Sequence, residues 1–261
     1  FCGIFDGNNH SISGVYIDND KNYMGLFGYN QGIIKNLNLI DSYISSSGGY
    51  IGGITAFNNN SSIIENCHNY AHIVTNTSSG ACGGIVGYST GSKILKSSNH
   101  GLIEGKNGGI GGISGYSWGT QIDECYNQGN INSKAYAVGG ISGFFQTSWV
   151  ENSYNKGEIS GSSYIGGITA QLYKYASIID CYNVGNLYNS DENPDRNVCI
   201  GGITGWVSLS NYDEYKMQNC YNAGTVTENN VLNEKLVYAG NIIGKYENGL
   251  INNCYYLNNE I

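Results

Sequence analysis

A short glycine-rich element that keeps returning constrains this chain more than any other feature. It reads Gly25-Leu26-Phe27-Gly28, Gly53-Ile54-Thr55-Ala56, Gly84-Ile85-Val86-Gly87, Gly112-Ile113-Ser114-Gly115, Gly140-Ile141-Ser142-Gly143, Gly167-Ile168-Thr169-Ala170, Gly202-Ile203-Thr204-Gly205 and a degenerate Asn241-Ile242-Ile243-Gly244. The first positions lie 28, 31, 28, 28, 27, 35 and 39 residues apart. A unit this small cannot bury its own apolar face, so the copies must stack on one another.

A second element follows each first one: Ile64-Glu65-Asn66-Cys67-His68-Asn69, Ile122-Asp123-Glu124-Cys125-Tyr126-Asn127, Val150-Glu151-Asn152-Ser153-Tyr154-Asn155, Ile178-Ile179-Asp180-Cys181-Tyr182-Asn183 and Met217-Gln218-Asn219-Cys220-Tyr221-Asn222. A copy at Ile94 to Asn99 puts Ser97 in the cysteine slot, and the last copy ends Cys254-Tyr255-Tyr256. Small residues (Ala71, Gly101, Gly129, Gly157, Gly185, Gly224) and then aliphatic ones (Ile73, Ile103, Ile131, Ile159, Leu187, Val226) come at fixed offsets beyond the Asn. Each period therefore holds three short β-type stretches separated by Gly, Asn and Ser turns.

The fold this predicts is all-β: a right-handed parallel β-solenoid of about eight coils of about 28 residues, with three short strands per coil. Stacked equivalents, about 4.8 Å apart, form ladders. One is the amide ladder Asn69, Asn99, Asn127, Asn155, Asn183 and Asn222, and another is the aliphatic ladder Ile54, Ile85, Ile113, Ile141, Ile168 and Ile203. Cys67, Cys125, Cys181, Cys220 and Cys254 share a slot with Ser97 and Ser153, so that slot takes a small buried side chain. Cys220 and Cys254 come close enough for a disulfide, but side chains running parallel in a stack rarely meet its torsion, so free thiols are expected. The chain reads as one domain over 1–261, excised from a longer protein: an opening coil over 1–23, regular coils over 24–187, and irregular coils with loop insertions over 188–261. In the opening coil, Ile12, Val15 and Ile17 match the spacing of Ile34, Leu37 and Leu39.

Composition excludes several classes. With 39 Gly but one Pro the chain is not collagen, and 40% hydrophobic residues with 23 Tyr argue against a disordered linker. A net charge of −8 with a single Arg argues against nucleic acid as a partner. No run of about 18 apolar residues is present, so no direct membrane insertion by a helix is expected.

The motif Gly-Gly-Ile-x-Gly followed by Ile-x-Asn-Cys-Tyr-Asn-x-Gly-x-Ile resembles the GLUG repeat of bacterial surface proteins. The opening run from Phe5 through Asp6-Gly7-Asn8-Asn9 to Gly14, followed by Gly25-Leu26-Phe27-Gly28, resembles the usual start of such arrays. The resemblance implies an exported, cell-surface bacterial protein, adhesin-like or an immunoglobulin-A-specific metallopeptidase. In the latter, such repeats lie outside the zinc-bearing catalytic domain. It carries no catalytic residue over, and no His-Glu-x-x-His occurs here.

The residues leave four candidate constellations. Tyr29, Phe57, Tyr88, Tyr116, Phe144 and Trp206 fill one slot, interrupted by Gln171. Exposed, they would stack on sugar rings or a partner chain; folded over at a corner, they would only pack. Asp123 and Glu151, beside Glu124 and Asp180, could hold a cation or act as an acid/base pair of a polysaccharide lyase or hydrolase. Glu65 and Lys35 in the same slot favour a solvated outer position. Asp191, Glu192, Asp195 and Arg196 lie in an insertion that reads either as a binding lip or as a solvated loop. His68, His72 and His100 stand near one another, as a metal site or as varied surface positions. The expected function is structural or adhesive and non-catalytic, without a cofactor. The expected partners are a glycan, a host or bacterial surface protein, and flanking domains of the parent chain, in an extracellular or cell-surface setting.

Overall fold

The protein, seen in a computed structural model, is a stack of parallel strands, described for residues 1–76, 79–190, 197–208, 216–228 and 236–257. No helix occurs among the described residues, and the strands form four parallel sheets of 7, 8, 15 and 8 strands. The coil at 81–105 shows the plan. Ala81–Gly83 lies in the first sheet, Val86–Thr90 in the second, Lys93–Leu95 and Ser98–Asn99 in the third, and Ile103–Gly105 in the fourth. The chain is thus an all-β parallel solenoid, with four faces rather than three stretches per coil.

The fourth face arises because the glycine-rich element folds round a corner. Ile51 and Ile54 are both fully buried, which a straight strand with alternating side chains cannot achieve three residues apart. Gly52 and Gly53 make the bend between strands Tyr50–Gly52 and Thr55–Asn59. Glycine is required beside such a bend: a Cβ on Gly112 would overlap the Gly140 carbonyl and the Asn127 side chain.

The third sheet shows a second local rule. Asn66, Lys96, Glu124, Asn152, Asp180, Asn219 and Asn253 all have φ between 48° and 54°. This left-handed residue kinks each strand, and Asn and Asp tolerate it better than most side chains. It turns the next residue inward, so Cys67, Cys125, Cys181 and Cys220 are buried alongside Ser97 and Ser153.

Inside, Ile54, Ile85, Ile113, Ile141, Ile168 and Ile203 stack without solvent exposure, as do Ile64, Ile94, Ile122, Val150, Ile178 and Met217. The predicted amide ladder is present. Each Asn Nδ2 from Asn69 to Asn183 donates to the Oδ1 of the next Asn at 2.8 Å. Each ladder Nδ2, including that of Asn222, also donates to the carbonyl two residues on. The buried amides of this ladder thereby find partners, which makes the ladder a stabilising element rather than a liability.

The opening coil differs from its expected alignment. Strand Ile4–Ser13 pairs Phe5 with Ile34, His10 with Leu37 and Ile12 with Leu39, while Ile17 pairs with Ile44. The register shifts between Asp6 and His10, where Asn8 and Asn9 adopt positive φ. That irregularity breaks the simple offset for Val15 and Ile17.

Candidate functional site

The predicted aromatic slot falls on the second sheet, where Tyr29, Phe57, Tyr88, Tyr116, Phe144, Gln171 and Trp206 pair strand to strand. Their strand neighbours Asn58, Ser89, Ser117 and Phe145 are buried, so the column points outward. Ring centroids lie 5.1 Å apart at 7° for Tyr29–Phe57, 5.1 Å at 2° for Phe57–Tyr88 and 4.8 Å at 7° for Tyr88–Tyr116. At 5.6 Å and 37°, Phe144 tilts away from Tyr116. In the stacked part the rings cover one another's faces, leaving edges and hydroxyls to solvent. A sugar cannot slide between rings this close.

The open aromatic surface is instead a trough between this column and the first sheet. There the slot of Tyr50 is taken in the following coils by Ala81, Gly109 and Ala137, before Tyr164 closes it. A Cβ on Gly109 would overlap the Phe144 ring, which leans over that residue, so the open surface lies beside Ala81. The resulting groove, about 460 Å³, is lined by Tyr23, Tyr50, Tyr88, Tyr116 and Phe144 with Asn22, Ser79 and Ala81. Tyr50 packs 5.1 Å from Tyr88, and Tyr23 packs 5.6 Å from Tyr50, so the walls brace each other. Burial pushes the Tyr88 hydroxyl up to about 12 and raises Tyr116 as well, so both remain hydrogen-bond donors. Among the described residues, no charged side chain lines the groove. Aromatic walls with amide and hydroxyl groups suit a neutral, polyhydroxylated ligand.

Trp206 lies apart from that trough. It stacks on Tyr164 at 4.9 Å and carries Lys245 5.2 Å above its ring. Gln171, which separates it from Phe144, is fully buried and accepts from the Tyr173 hydroxyl at 2.9 Å, while its Nε2 has no hydrogen-bond partner.

The acids do not form one cluster. Asp123 and Glu151 are register partners, flanked by Leu95 and Ile179 in the coils on either side. Asp123 Oδ1 accepts from Asn152 at 2.9 Å, and Asp180 Oδ1 accepts from Asn219 at 2.8 Å. Glu124 and Asp180 occupy the left-handed kink position, which explains their place in the motif. No group of three His, Cys, Asp or Glu suited to a metal ion occurs among the described residues. Asp191, Glu192, Asp195 and Arg196 lie outside the described residues.

The histidines separate into two sets. His68 Nδ1 and His100 Nε2 both bond the buried Ser98 Oγ, at 2.7 and 2.9 Å. His72 faces Glu104 at 2.7 Å. Tyr126, Tyr154, Tyr182 and Tyr221, beside the cysteine slot and outside the four candidate constellations, stack at 4.8–4.9 Å and 5–8°. Their recurrence at one offset was the available signal. A third aromatic cluster, Tyr16, Tyr43, Tyr70 and His72 with Asp41, lines an open groove of about 700 Å³. No motif repeats there, so nothing in the spacing pointed to it.

This architecture defines the class: a parallel β-solenoid with external aromatic ladders. Among solved structures, it is similar to one described as a "putative immunoglobulin A1 protease" from Bacteroides ovatus, with a TM-score of 0.55 and 20% sequence identity. The match covers 97% of this chain and 68% of that one. At that identity the likeness concerns the fold. No protein-family model matches the chain, and no curated protein does.

Proposed function

We propose that this chain is a non-catalytic, stiff segment of an exported bacterial surface protein, and that its aromatic trough binds a neutral glycan. The observation that carries the reading is the groove walled by Tyr23, Tyr50, Tyr88, Tyr116 and Phe144 beside Ala81, with no charged residue among its described lining. The continuous amide and aliphatic ladders support the mechanical part, because a rod in which every coil is bonded to the next resists bending. The GLUG-like motif and the bacterial origin of the similar structure support a surface setting. A second reading, recognition of an immunoglobulin glycoprotein on behalf of a neighbouring peptidase domain, draws on that structure's description alone.

The test is a glycan array on the whole chain, followed by calorimetry on any hit with wild type and Tyr50→Ala. Neutral glycans retained by wild type and weakened roughly five- to thirtyfold by the substitution are expected, since one stacked ring contributes about 1–2 kcal/mol. Binding that ignores Tyr50, or turnover of an acidic polysaccharide, would overturn the reading.

A further inference from the structure

The cysteine slot alternates down the rod. Cys67, Ser97, Cys125, Ser153 and Cys181 place a serine between successive thiols, but Cys181, Cys220 and Cys254 follow one another in consecutive coils. Most of these thiols are committed. Cys67, Cys125, Cys181 and Cys220 each donate to a carbonyl of the preceding coil, at Ile34, Ile94, Val150 and Ile178 respectively. All four are buried. Cys254 is the exception: it is half-buried, its backbone carbonyl contact is local, to Asn252 at 3.3 Å, and its thiol neighbours that of Cys220.

The backbone fixes this neighbourhood. Tyr255 N–H donates to the Cys220 carbonyl at 2.9 Å, and Asn219 N–H donates to the Asn252 carbonyl at 3.1 Å. Laterally paired residues of parallel strands lie about 4.8 Å apart at Cα, inside the range a disulfide spans. Interaction with the neighbouring Cys220 thiol draws Cys254 toward the thiolate, while the same interaction and burial push Cys220 up. The half-buried sulfur is therefore also the better nucleophile.

We propose that Cys254 and Cys220 are a thiol–disulfide exchange site that takes a small disulfide and closes into a bond between the last two described coils. The Cys254 thiolate attacks one sulfur of R–S–S–R, forming Cys254–S–S–R and releasing RS⁻. Cys220 then loses its proton, which leaves with the thiolate product as RSH, and attacks the Cys254 sulfur to expel the second RS⁻. Two protein thiols are oxidised to one disulfide, and one small disulfide is reduced to two thiols. The bond fastens a coil that packing holds weakly: Ile251 and Tyr256 are exposed, whereas Met217 and Asn222, their partners in the coil before, are buried.

The experiment uses the whole chain carrying Cys2→Ser, which removes the one fully exposed thiol. The protein is incubated with oxidised glutathione, alkylated and mapped by mass spectrometry without reduction. A peptide pair joined through Cys220 and Cys254 is expected, with amide exchange in 250–257 slowed by roughly tenfold or more. Cys220→Ser is expected to fold, because Ser97 and Ser153 fill the same slot, and to stall as a stable glutathione adduct on Cys254. Cys254→Ser is expected to take up no glutathione. Cross-linking to Cys181, an adduct on wild type that never resolves, or no reaction under oxidising conditions would each overturn the proposal.

Discussion

The middle coils and the last two are built from one motif, yet they differ in what covers them. Between 81 and 187 each inner residue has a coil on both sides: Ile113, Ile141 and Ile168 are fully buried. In the last coil Ile251, which pairs with the buried Met217, is 37% exposed. The amide ladder ends there too, since Asn222 pairs with Tyr256 rather than with another Asn. The same side chain therefore contributes differently according to how many neighbours it has, as expected of a molecule whose stability is a sum over adjacent repeats.

The sharpest way to break this comparison is to cut the same side chain in both places. Ile141→Ala removes a side chain enclosed by Ile113 and Ile168, and its cost is about 4 kcal/mol. Ile251→Ala is expected to cost about 1 kcal/mol or less, because no cavity closes over it. Urea unfolding followed by fluorescence measures both. Equal losses would mean that the terminal coil is packed as tightly as the middle.

A smaller effect separates the ends of the amide ladder. Asn127→Leu breaks the bonds to Asn99 and Asn155, leaving an acceptor and a donor short of a partner, at about 3 kcal/mol. Asn222→Leu breaks one ladder bond, that from Asn183, whose Nδ2 keeps the Gly185 carbonyl at 2.8 Å, together with its own local bonds to Gly224; about 2 kcal/mol is expected. Midpoint shifts in the same titration check the ratio. A ladder whose bonds were individually idle would show no difference between the two positions.

Much of this was legible in the sequence because stacking turns repetition into contact. The recurrence of Asn127, Asn155 and Asn183 at one offset, beside a glycine that leaves them room, already specified a buried ladder. The Ile51–Ile54 spacing already demanded a bend, although not that the bend would make a fourth sheet. What the sequence concealed were properties of the backbone angle and of neighbouring slots. Glu124 and Asp180 looked like part of an acidic shelf, but they fill the left-handed kink that Asn66, Asn152 and Asn219 fill elsewhere. The aromatic slot was visible as a column, yet its binding surface depends on Tyr50 and Ala81 in a different sheet, brought beside it only by the corner.

A final contrast concerns pH, and its histidine part belongs to the early coils. His68 and His100 share Ser98 Oγ, with Tyr70 stacked on His100 at 4.4 Å. Burial depresses both imidazoles below the ordinary histidine value, and for His68 the proximity of His100 adds to the shift. A depressed pKa means that the unfolded chain binds protons more readily than the folded one, so stability rises with pH in this window. The contribution is fully present above the unfolded value of about 6.5 and declines as pH falls below it toward the folded values. Melting followed from pH 7.5 to 5.5 should therefore show a falling Tm in wild type. The slope should flatten in a variant carrying His68→Tyr and His100→Gln, the residues that Tyr126 and Gln128 supply further down the rod. Amide exchange, corrected for its intrinsic pH dependence, should report loosening across 66–75 that the double variant abolishes. An unchanged slope in the double variant would assign the acid sensitivity elsewhere in the rod.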